Sequence, residues 1–106
     1  VKYSDLESWF DNNLPKFGLN EKETRQFKEY WLNELPESSY YEIKMLDDKF
    51  LKQNMNLDII PIPDTLIRIE FYFKPTDSIK EINEPVIVTP NREGFTVVEW
   101  GGILDN

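Results

Sequence analysis

The sequence predicts an α+β domain in which two N-terminal amphipathic helices pack on a mostly antiparallel sheet of about four strands. Three observations predict it. Apolar side chains recur at helical spacing in two runs before Pro36, each opened by capping residues, and a Pro/Gly connection separates them. From Tyr40 onward, apolar and polar side chains alternate instead, the period of a half-buried strand. No long helical pattern intervenes between the later strands, which favours antiparallel neighbours.

The first helix is announced by Ser4-Asp5-Leu6-Glu7, a capping-box pattern with Ser4 as the cap. Leu6, Trp9, Phe10, Asn13 and Leu14 then form one stripe, which Pro15 stops and Gly18 turns. Asn20 and Glu23 repeat the capping logic for a second helix over about 21–35, with Phe27, Tyr30, Trp31 and Leu35 as its buried stripe. Tyr40 to Met45 alternates as a strand, and 47–53 suits a short helix with Phe50 and Leu51 turned inward. The stretch 57–63 is extended, and Pro61 and Pro63 keep it at a sheet edge or outside the sheet. Leu66, Ile67, Ile69, Phe71 and Phe73, with Arg68, Glu70 and Lys74 interleaved, mark 65–74 as the central strand. Pro75-Thr76-Asp77 turns the chain, 78–84 is polar connector, 85–89 is a further extended piece and 91–94 a turn. The last strand, 95–100, ends at Gly101-Gly102.

A length of 106 residues suits one domain with one core, and a start at Val1 rather than Met leads us to expect part of a longer chain. Leu, Ile, Val and Phe supply 32 residues, too many for a disordered chain. The net charge of −8 makes nucleic acid and anionic membrane surfaces poor partners, and no apolar run is long enough for membrane insertion. With no Cys and no His, the chain has no disulfide, no thiolate or imidazole metal site and no His-based triad. Carboxylate, Lys, Tyr and hydroxyl chemistry remains, and no cofactor is expected.

Three segments carry a resemblance. Gly18-Leu19-Asn20-Glu21-Lys22-Glu23 leading to Tyr30-Trp31-Leu32, then Pro61-Ile62-Pro63-Asp64-Thr65, and finally 94–102 (GFTVVEWGG) span most of 17–102. Together they resemble the C-terminal half of a widespread, uncharacterised family found in bacterial and some eukaryotic proteins. The resemblance implies a module working beside an upstream partner segment, in a secreted or cell-surface protein. It implies no catalytic residue, since the family has no assigned activity.

Candidate binding residues are Tyr40, Tyr41, Arg68, Glu70, Tyr72 and Glu99. Glu70 and Glu99 sit in strands and can share a face, the minimum for carboxylate acid/base chemistry, but solvent-facing positions paired with Arg68 or Lys74 explain them as well. Arg68 offers a planar fork for a carboxylate. Tyr40, Tyr41 and Tyr72 suit a sugar-stacking platform, whereas Trp9 and Trp31 belong to core stripes. Neighbours on one strand point to opposite faces, so one of Tyr40 and Tyr41 is exposed. Asp47, Asp48, Asp58 and Asp64 lack calcium-loop spacing, and Asp64 reads as a turn or strand-start residue. The reading that follows is a non-catalytic interaction module that docks another protein, or an upstream domain of its own chain, through a sheet edge marked by 59–63 or an acidic aromatic face. Polysaccharide binding is the alternative, and a hydrolase built on Glu70 and Glu99 ranks behind it.

Overall fold

The computed structural model describes residues 1–78 and 87–105. Most of the expected connector at 78–84, and the first two residues of the extended piece expected at 85–89, lie outside the described residues. Helix α1 (Leu6–Asn13) and helix α2 (Glu21–Glu34) precede strand β1 (Tyr40–Met45), helix α3 (Asp48–Asn54), strand β2 (Thr65–Thr76) and strand β3 (Thr96–Leu104). The α+β class is as predicted, but the described residues form a three-stranded mixed sheet rather than four antiparallel strands. The strand order is β1-β2-β3, with β1 antiparallel to β2 and β3 parallel to it, starting with Thr96 beside Thr65.

Chain length accounts for the parallel pair. A parallel neighbour needs a crossover of a dozen or more residues. The 19 residues between Thr76 and Thr96 can reach roughly 60 Å, enough to return along the roughly 40 Å of β2.

Alternation along β2 decides the two faces of the sheet. Ile67, Ile69, Phe71 and Phe73 are buried against Leu6, Phe10 and Leu14 from the first helical segment and Phe27 and Trp31 of α2. The Phe27 ring lies 5.4 Å from Phe10, 5.8 Å from Phe71 and 5.1 Å from Trp100, so one aromatic side chain joins α1, α2, β2 and β3. Large rings fill a small core that has no alanine. On the opposite face, Leu51 of α3 is buried and shares a cleft with Leu66 and Arg68, so α3 covers the start of β2 there. Among the described residues no helix is long and apolar enough to cross a membrane.

Local signals hold where they are strictly local. Asn20 Oδ1 accepts from the Glu23 N–H at 2.9 Å and Glu23 Oε1 accepts from the Asn20 N–H at 2.9 Å, a complete capping box. Ser4 does not cap α1, because the chain enters that helix through a 3-10 turn at Tyr3–Asp5 that already aligns its backbone. Phe50 is partly exposed, since its short helix turns only Leu51 fully inward. The stretch 57–63 joins no strand, and Ile60 and Ile62 are exposed, so of the two places its prolines allow it takes the one outside the sheet and is not a docking edge. Pro75 and Thr76 extend β2 instead of turning the chain.

The start of β3 is fastened to its surroundings. Asp64 Oδ2 accepts from the Phe95 N–H at 2.7 Å, and the Asp64 and Thr65 N–H groups donate to the Phe95 carbonyl at 2.8 and 3.1 Å. Asp64 is therefore the strand-start residue that its position suggests. Arg92 reaches back to the Gly18 carbonyl and pairs with Glu23, tying the approach to β3 to the beginning of α2.

Candidate functional site

Of the six candidate residues, the fold brings three together. Register and alternation place Arg68, Glu70 and Tyr72 of β2, Glu99 of β3 and Tyr40 of β1 on the face away from α1 and α2. Tyr41 is the exception and leaves the set of surface candidates. It is 1% exposed, and its hydroxyl donates to the Pro36 carbonyl at 2.5 Å, because the odd positions of β1 face the core. Tyr40 is level with Thr76 while Tyr72 is level with Lys44, four residues further along. At roughly 3.3 Å per residue the two tyrosines stand about 13 Å apart, too far to form one stacking platform. Tyr72 is engaged by Asp105 through its hydroxyl, and Lys44 Nζ lies 5.8 Å from its ring centre.

Arg68 and Glu99 are register partners across the parallel pair. The Arg68 Nε donates to Glu99 Oε2 at 3.2 Å and Nη2 lies 3.1 Å from the same oxygen, while Nη2 also donates to the Met55 carbonyl that follows α3. Glu70, the next residue on that face, is only 7% exposed, contrary to the solvent-facing position that its place in a polar-alternating strand suggests. Burial, together with the hydrogen bond to and charge of Glu99, raises its carboxyl to about 7 against the opposing pull of Arg68. The Glu70 carboxyl thus keeps its proton into the weakly acid range, beside a Glu99 that is paired with Arg68. Two neighbouring carboxyls in unlike environments are the raw material of acid/base catalysis. Here, however, the adjacent cleft is lined by Asp48, Leu51, Lys52, Leu66 and Arg68 and by neither glutamate. The arrangement serves as a polar clasp between β2 and β3. Among the described residues no cluster of acidic side chains is arranged to hold a metal ion.

Glycine explains why β3 is longer than its apolar run. The strand continues through Gly101 and Gly102 to Leu104 instead of ending at them. A Cβ on Gly101 would meet Glu70 Oε2 at 2.8 Å, and one on Gly102 would meet Trp31 Cζ2 at 2.8 Å and the Phe71 carbonyl at 2.9 Å. Close approach, not a turn, accounts for the pair: backbone and rings crowd Gly102, and the Glu70 carboxyl lies over Gly101.

β3 also presents the feature that residue-by-residue reasoning missed. It is one of the two edge strands among the described residues, nine residues long and without interruption in its register to β2, whereas the other edge, β1, is six residues long and is met at Tyr40 and Tyr41 by the N-terminal residues. The Asp105 N–H donates to the Phe73 carbonyl at 2.8 Å, so the odd-numbered residues of this strand direct their backbone groups to β2. The N–H and C=O groups of Thr96, Val98, Trp100, Gly102 and Leu104 point the other way, outward. Flanking this edge are Val97 and the exposed Ile103 on one face, and Val98, Trp100 and Tyr30 on the other. Tyr30, expected in the core stripe of α2, is 50% exposed because it lies at the margin of the sheet, against Trp31 and Trp100. The legible signal was Ile103-Leu104 beyond the glycines, which continues the apolar alternation.

No family model, curated protein or solved structure matches the chain.

Proposed function

We propose that this chain is a non-catalytic interaction module that docks another protein, or another domain of its own chain, by accepting a strand at the outer edge of β3. The observation that carries the reading is the nine-residue apolar edge with its outward row of unpaired backbone groups among the described residues. Exposed edges are normally blunted by Lys, Pro, a bulge or a short strand. Residues 96–104 contain no Lys and no Pro, the register is unbroken, and the one charge, Glu99, is turned back onto Arg68. Main-chain hydrogen bonds would supply affinity, and the flanking Val97, Ile103, Trp100 and Tyr30 would select side chains on the incoming strand. This moves the docking edge from 59–63 to β3 and leaves the acidic aromatic face as its flank.

The test is capture by the immobilised protein beside its Val98→Pro variant. The Val98 N–H points outward, so proline removes an edge donor and leaves the ladder to β2 intact. Proteins held by the native chain and lost from the variant support the reading. Identical sets on both refute it, and so does nothing on either when the native chain also stays single in solution.

A further inference from the structure

Resting on that edge reading, we infer that the strand β3 accepts is β3 of a second copy, so that the sheets of two chains join into one continuous sheet. The edge is self-complementary. For two copies related by a two-fold axis perpendicular to the sheet, the only antiparallel register that overlaps all of 96–104 is centred on Trp100. In that register Thr96 faces Leu104 of the other copy, Val98 faces Gly102, and Trp100 faces its own equivalent. These are the residues whose backbone groups point outward. Each offers one donor and one acceptor, so complete pairing makes about ten hydrogen bonds, as many as an ordinary specific interface contains.

Side chains agree with the backbone on both faces. On the open face Val97 meets Ile103, and Glu99 meets Gly101, so no carboxylate opposes a carboxylate. On the helical face the two Trp100 rings meet at the axis, each already backed by Phe27 at 5.1 Å and Tyr30 at 5.8 Å. Glycine opposite Val98 leaves room for that row. Charge decides where two such chains can meet. A net charge of −8 repels a second copy over most of the surface, but the segment 96–104 carries only Glu99, and Arg68 neutralises it. Shifting the register two residues, to a centre on Glu99, would oppose the two Glu99 side chains and shorten the overlap.

Sedimentation equilibrium over a concentration series tests the pairing. The native chain should rise from 12.7 kDa towards twice that mass, and Val98→Pro should stay at the single-chain mass. The register is tested by two double variants. Val97→Lys with Ile103→Lys opposes lysine to lysine across the axis and should weaken dimerisation at least tenfold. Val97→Glu with Ile103→Lys opposes unlike charges and should restore it. Amide exchange on the native chain needs no variant: protection at residues 98, 100, 102 and 104 should increase with concentration. A mass that stays at one chain throughout overturns the second copy as occupant, as does a dimer indifferent to these substitutions or an exchange pattern that ignores concentration. If the native chain stays single but still retains proteins that Val98→Pro loses, the edge reading stands and only the second copy falls.

Discussion

Glu70→Gln replaces the protonated Glu70 carboxyl with a permanent amide, and its effect on stability should depend on pH with a definite sign. The Glu70 carboxyl is raised from 4.5 to about 7 in the folded chain by burial and by Glu99. An acid whose affinity for a proton is higher in the folded state contributes fully below its unfolded value and loses that contribution as pH rises through its folded value. The window is therefore pH 4.5 to 7, and at about 1.4 kcal/mol per unit the loss across it is about 3 kcal/mol. That is a large fraction of the roughly 5–15 kcal/mol that holds a domain folded. Glutamine keeps the shape of the protonated side chain and can still donate to Glu99, so below pH 4.5 the two proteins should agree within about 1 kcal/mol. Above pH 7.5 the variant should be the more stable. Urea unfolding followed by tryptophan fluorescence at half-unit pH steps gives both curves, and their difference isolates this group from the other acids. Parallel curves would refute the reasoning and return Glu70 to the solvent-facing role that alternation alone suggests.

Gly102→Ala should lower stability by about 1–3 kcal/mol, because the added methyl meets Trp31, Phe73 and the Phe71 carbonyl within 3.0 Å; thermal unfolding reads it as a clear fall in Tm. Asn20→Ala should cost about 1 kcal/mol through loss of the cap on α2, while Ser4→Ala, which removes no capping bond, should stay within about 0.5 kcal/mol of native in the same denaturation assay. Tyr41→Phe leaves the Pro36 carbonyl without the hydroxyl that donates to it and should cost about 1 kcal/mol, with no effect on any binding that uses the open face.

How much was legible follows from how local each determinant is. The stripe of Leu6, Phe10, Leu14, Phe27, Trp31 and Leu35, and the alternation of Ile67, Ile69, Phe71 and Phe73, identify helices, strand and core face, since burial follows the period of the backbone. The capping box at Asn20 is legible for the same reason: all its atoms lie within four residues. The capping pattern at Ser4 misleads because a preceding 3-10 turn competes for the same backbone, which composition does not reveal. Tyr30 misleads because a helix stripe reports an angle around the axis and not where the sheet beneath it ends. For the candidate site, strand parity lets Glu70 and Glu99 share a face, and the same alternation puts Arg68 within reach of a strand glutamate. The burial of Glu70 was not legible, since Glu99 and Gly101 of β3, which lie against its carboxyl, come from some thirty positions further along the chain.

By itself, then, the sequence determined the α+β class, the helices and strands within a few residues, the side of β2 that faces the core, and the exclusion of thiol and imidazole chemistry. Tertiary structure decided that β3 runs parallel to β2, that Gly101 and Gly102 lie inside the strand, and that β3, not 59–63, is an edge strand of the sheet among the described residues. The reason is physical. A period of two states which side chains share a face, but strand direction and neighbour are chosen by hydrogen bonds and steric contacts between residues some thirty positions apart, where Arg68 meets Glu99 and Gly102 meets Phe71.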